Sequence, residues 1–161
     1  RLPNSFSNFK WSIISFNRGD MSVPFEVIIG KLSVIVVHSS PSLRKFLKAT
    51  VAAMGNQVVV AEIDKQGLSF LESNQADLII VEQPLLELGA ANFITQVKLI
   101  PGHEQTPVVV IAASKDNEAK EQVRSAGGAG WLVQPLQPQQ FIRMLEGFKA
   151  RKAKKESETK S

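Results

Sequence analysis

The 161-residue chain has no cysteine, which excludes disulfides, thiolate zinc sites and a cysteine nucleophile. That absence fits a reducing compartment, and a cytoplasmic location is expected. No apolar stretch approaches the roughly 20 residues needed to cross a bilayer, so no membrane association is expected. The body of the chain also lacks an excess of positive charge. The net charge of +4 sits at the ends, with +4 over residues 149–161 and +2 over residues 1–20, leaving about −2 between them. The middle is therefore not a basic nucleic-acid surface. The run from Lys149 to Lys155 lacks interleaved aromatics and reads as a solvated helix end, so nucleic acid is not an expected partner.

What is present is an alternation of short apolar runs with amphipathic stretches. Val34 to Val37 ends in His38-Ser39-Ser40-Pro41; Leu78 to Val81 follows Asp77 and ends in Glu82, Gln83 and Pro84. Val108 to Ile111 runs into Ala112-Ala113-Ser114, and Trp131-Leu132-Val133 into Gln134-Pro135. Gln57 to Ala61 is read as a further strand. Between them, Ser40 with Pro41 at the first position starts a helix carrying Leu43, Phe46, Leu47, Thr50, Val51 and Met54 on one face, ended by Gly55-Asn56. Asp64 is expected to cap a short helix with Leu68 and Leu71. A third helix covers about Ala90 to Leu99, with Phe93, Ile94 and Val97 inward and Pro101-Gly102 as its stop. Ser114 is expected to cap a fourth helix through Ala126, ended by Gly127-Gly128. Pro138 opens the last, with Phe141, Met144, Leu145 and Phe148 on one face.

The chain divides into a leader over residues 1–30, a domain over 31–149 and a charged, disordered tail over 150–161. Met21 is a plausible true start, and Arg18-Gly19-Asp20, an integrin-type tripeptide, is read as chance. Strands built of continuous Val/Ile/Leu runs indicate a sheet covered on both faces. Five such strands separated by helices make a doubly wound parallel α/β sheet with right-handed crossovers. In that architecture ligands meet the carboxyl ends of the strands. The residues that decide function are then His38, Ser39, Glu82, Gln83, Ala112, Ala113, Gln134 and Pro135.

Four patterns in order, VIVVHSSPSLRKFLKATV, ADLIIVEQPLL, PVVVIAAS and AGGAGWLVQPLQPQQF, resemble the receiver domain of two-component response regulators over about Lys31 to Lys149. The resemblance implies a flavodoxin-like (βα)5 fold with strand order 2-1-3-4-5. It implies a phosphorelay-type signalling module in which an acidic pair after the first strand and an aspartate after the third hold Mg²⁺ and accept a phosphoryl group. A hydroxyl residue after the fourth strand, a lysine after the fifth and a switch aromatic on the fifth complete the set. At these positions the chain has His38 and Ser39, Glu82, Ala112 (or Ala113, one residue on), Gln134 and Trp131. Pro135 after Gln134 is a candidate cis bond.

All the chemical positions differ from the family pattern, so the expectation is a pseudo-receiver with no metal, no cofactor and no enzymatic activity. It would act by phosphorylation-independent association with a signalling protein or with itself as a homodimer. The resemblance places the output face at the fourth helix, fifth strand and fifth helix, about Asp116–Ala126, Gly130–Val133 and Pro138–Lys149. The alternatives are an atypical phospho-receiver using Glu82 and a flavodoxin-like small-ligand binder, although His38-Ser39-Ser40-Pro41-Ser42 offers hydroxyls and no glycine for a phosphate. Glu82 is either a mimic of an aspartyl phosphate or a polar strand end bonded to His38, Gln134 or water. His38 reads as a partner for Glu82 rather than a metal ligand or phosphoryl carrier, and His103 falls in a loop. Trp131 is either locked inward over Ala112 or packed at the surface.

Overall fold

The computed structural model describes residues 31–85 and 87–159. The expectations for residues 1–30, including Met21 as a start, lie outside the described residues. Two compact units divide the described residues, one spanning Ser33–Leu136 and one that includes residues 31–32 and 137–159.

The Ser33–Leu136 unit is a five-stranded parallel sheet of order β2-β1-β3-β4-β5, as expected. Its strands are β1 Ser33–Val37, β2 Gln57–Ala61, β3 Leu78–Gln83, β4 Val108–Ala112 and β5 Gly130–Val133. Helices α1 Pro41–Ala53, α2 Asp64–Ser73, α3 Ala90–Lys98 and α4 Asn117–Ser125 connect them. Alternate strand residues face opposite sides of the sheet. Ile35, Val37, Ile79, Val81, Val108 and Val110 join Phe93, Ile94 and Val97 of α3 and Val123 of α4 in one core. Val34, Val36, Leu78, Ile80, Val109 and Ile111 face the other way and are equally buried. The continuous apolar runs therefore do mark strands covered twice. β2 is different: Gln57 and Val59 are exposed, because the strand order puts it at an edge.

Helix starts follow local chemistry, with two corrections. At α1 the Ser40 hydroxyl accepts the Leu43 N–H at 3.3 Å, with Pro41 next in line, as read from the sequence. Gly55, at φ +81°, closes that helix in the left-handed region where a side chain would be strained. Asp64 is not the cap of α2; it is the first helical residue. Its fully buried carboxylate accepts the Lys65 N–H at 2.7 Å and the Leu88 N–H at 3.1 Å, tying the helix to the loop before α3. Gln66 reaches back instead, accepting the Glu62 N–H at 2.8 Å. Nor does Ser114 cap α4. Asp116 does, accepting the Ala119 N–H at 3.0 Å, a charged acceptor at the positive helix end outcompeting a hydroxyl two residues earlier.

In the second unit, Lys31, Leu32, Gln137 and α5, Pro138–Thr159, are the described parts. Phe141, Met144, Leu145 and Phe148 are buried at the expected spacing. The frayed tail is a correction: the helix continues to Thr159. Residues 151–158 are mostly strong helix formers. Ala153 is buried, and the Lys152 ammonium donates to the Lys31 carbonyl at 2.6 Å, anchoring the extra turns.

Candidate functional site

The site lies beyond the carboxyl ends of the strands, where parallel sheets gather their loops. An open pocket of about 260 Å³ is lined by His38, Ser39, Glu82, Gln83, Pro84, Ala113 and Gln134. Sequence reasoning places Glu82 after the third strand; it sits on β3, paired in register with Ile111, and Gln83 is paired with Ala112. The pairing partner β4 is long enough to carry the ladder two residues beyond the apolar run. Both Gln83–Pro84 and the expected Gln134–Pro135 bonds are cis.

Glu82 is the centre of the pocket, with its side chain 93% removed from solvent (7% exposed). One oxygen, Oε2, accepts the backbone N–H and the hydroxyl of Ser39, both at 2.8 Å, and lies 3.1 Å from His38 Nδ1. The other, Oε1, takes no hydrogen bond from a described residue, and the side chain lines the pocket. Of the partners foreseen for Glu82, His38 lies beside it at 3.1 Å, Gln134 makes no hydrogen bond to it, and Ser39 supplies both of its hydrogen bonds.

His38 Nδ1 is contested. It lies 3.0 Å from the Ser40 N–H, which needs a lone pair, and 3.1 Å from a carboxylate oxygen, which needs a proton. Burial pulls the His38 pKa below its ordinary 6.5; the Glu82 charge works in the opposite direction, and the Arg44 charge adds to the lowering. The neutral ring therefore accepts from Ser40, which leaves its proton on Nε2, a buried atom with no partner. Arg44 is the site residue that strand-end reasoning missed. From the first turn of α1 its guanidinium donates to the carbonyls of His38 at 2.7 Å and Ser39 at 3.0 Å, and it lies 3.5 Å from the exposed carboxylate of Glu62. Its spacing of six residues from His38 across a capped helix start was the available signal.

Three expected positions, Ala112, Trp131 and Pro135, fall outside the pocket. Ala112 is buried in β4, and the next residue, Ala113, lines the cavity while its N–H donates to Gln83 at 2.8 Å. Trp131 is half-buried on β5, packed against the core shared by α3 and α4, between the two alternatives foreseen for it. Gln83 turns its amide oxygen to the Ala90 N–H at 3.2 Å and so caps α3. His103 takes no part: it is fully buried in the loop between α3 and β4. Among the described residues no group of three or more His, Asp or Glu side chains could hold a metal ion, and no helix is long and apolar enough to cross a membrane.

Comparison with known proteins converges on one family. The model of the response regulator receiver domain matches residues 34–146. A 14.6 kDa protein encoded in the sodA1 3' region of Leptolyngbya boryana is 24% identical over 120 residues, covering 74% of this chain and 92% of that protein. The cyclic di-GMP phosphodiesterase response regulator RpfG of Xanthomonas campestris is 21% identical over 68% of this chain, which spans only 30% of that relative's length. Among solved structures, the chemotaxis response regulator CheY4 of Vibrio cholerae matches with a TM-score of 0.69 at 23% identity, covering 73% of this chain and 98% of that one. A response regulator from Chloroflexus aurantiacus matches with a TM-score of 0.70 at 21% identity, covering 75% and 99%. At these identities the solved structures speak for the fold alone.

Proposed function

Because this chain belongs to the response regulator receiver domain family, we propose that it is a two-component signalling module that works without accepting phosphate. The observation that carries this reading is the state of Glu82, the pocket's one carboxylate, whose Oε2 already takes two hydrogen bonds from Ser39. Mg²⁺ asks for octahedral oxygen coordination and dehydrates reluctantly. A lone carboxylate with one oxygen committed, beside a neutral imidazole and two amides, does not fit it. Gln134 brings no positive charge to the place where a developing phosphoryl charge would need one, and each such missing contact costs on the order of 10²-fold in rate. The longer glutamyl arm adds a displacement of about 1 Å from an attack geometry, worth about another 10²-fold. The module is thus not an enzyme; it signals by association with a protein partner. Within the Ser33–Leu136 unit the surface proposed for docking is α4 with β5, where Val133 is 36% exposed and α4 is rich in charged residues.

The test is incubation with Mg²⁺ and acetyl phosphate, read by intact mass, together with Mg²⁺ and beryllofluoride read by amide NMR. No added phosphoryl mass and no magnesium-dependent shift at Ser39, Glu82 or Ala113 is expected. A phosphorylated species, or saturable shifts at those three residues, overturns the reading.

A further inference from the structure

The pocket has chemical capacity that its own residues leave unused. Its wall carries one negative charge, on Glu82, and no positive charge: the lining residues other than Glu82 are His38, Ser39, Gln83, Pro84, Ala113 and Gln134. Arg44, the nearest guanidinium in the hydrogen-bond network, is spent on the carbonyls of His38 and Ser39 and does not line the cavity. Glu82 Oε1 takes no hydrogen bond from a described residue, on a side chain only 7% exposed that lines that cavity. The Gln134 amide lines the same space and makes no hydrogen bond with a described side chain or backbone group. An amide can turn its carbonyl toward a donor. The cavity, about 260 Å³, lies below the roughly 300–1,000 Å³ typical of sites for drug-sized ligands. It suits one side-chain head group.

We propose that this pocket binds a guanidinium or primary ammonium group, held by Glu82 Oε1 with Gln134 as second acceptor. An anion is disfavoured by the carboxylate. A neutral donor would leave the buried charge without a counter-charge, whereas an N–H cation forms the stronger, charge-assisted bond. The inference rests on the reading that the pocket takes neither Mg²⁺ nor phosphoryl, and the two fail separately. Magnesium-dependent beryllofluoride binding would remove both. Failure of the cation alone to bind would leave the first standing.

The experiment is amide NMR of the full chain titrated with methylguanidinium and with ethylammonium, followed by peptides carrying one central arginine or, in its place, neutral citrulline. Saturable shifts at Ser39, Ala113 and Gln134 with the cations, weakened by added salt and absent with citrulline, are expected. Tighter binding of the arginine peptide than of methylguanidinium assigns the cation to a polypeptide; equal binding assigns it to a free small molecule. Glu82→Gln should weaken binding by about tenfold or more, as expected for loss of one charge-assisted bond. Gln134→Lys keeps Glu82 and supplies an internal ammonium, and should abolish binding while the remaining amide spectrum shows the fold intact. Unchanged affinity in both variants, or no saturable shift with either cation, overturns the proposal.

Discussion

The chain has two histidines, both buried, and they differ in how completely the protein uses them. His103 Nδ1 meets the Thr106 hydroxyl at 3.0 Å, and its Nε2 lies 3.1 Å from the Leu71 carbonyl and 2.9 Å from that of Asn74. Every polar atom of the ring is spent, so His103 pins the end of α2 to the loop before β4. His38 has a buried Nε2 without a partner and an Nδ1 pulled between Ser40 and Glu82. A buried polar group is normally hydrogen-bonded, and the exceptions deserve an explanation. The difference separates a structural joint from a working surface: saturation marks the first, residual capacity the second. Neither burial nor residue type makes that distinction.

The largest effect is expected at the saturated ring. His103→Leu strands two carbonyls and a hydroxyl and should cost about 3 kcal/mol, read from the urea midpoint at unchanged slope. His38→Leu, which removes an orphaned nitrogen along with one acceptor, should stay within about 1 kcal/mol by the same measurement. Equal costs at the two sites would erase the comparison.

The smallest effect concerns pH. With its pKa held below 6.5 in the fold, His38 binds fewer protons there than in the unfolded chain just below that value. Its contribution is therefore complete above pH 6.5 and is lost as pH falls toward the folded pKa. The difference in stability between the parent protein and His38→Leu should shift in that direction across this window. In Glu82→Gln the one influence that raises the His38 pKa is gone, so the ring should titrate still lower, as followed by its Cε1–H NMR signal. Identical titration in parent and variant would mean that the two side chains are not coupled.

Much of this architecture was readable because it is local. Val34 to Val37 and Val108 to Ala112 declare themselves by composition, and Ser40-Pro41 and Gly127-Gly128 by backbone chemistry. The misreadings share a cause. Asp116 and Ser114 are both competent caps, and only the path of the chain leaving β4 chooses between them. Residues 151–159 look like a tail because their charge pattern has no apolar face. One buried alanine and the Lys152–Lys31 bond hold the helix together. At the pocket, Ala113 replaces Ala112 as a wall because side chains alternate about a strand whose end is set by its neighbours.

By itself, the order of residues determined the kind of sheet and the group of strand ends where chemistry would be found, since periodicity, caps and turns are short-range properties; the strand order was implied only by the family resemblance. It also determined that Glu82, His38, Ser39 and Gln134 would meet there. Tertiary structure alone decided how they divide their hydrogen bonds: Ser39 claims one carboxylate oxygen, Arg44 clasps the loop, and Gln134 remains apart. Hydrogen bonds are directional over a few tenths of an ångström, and no pattern of residue types carries that resolution.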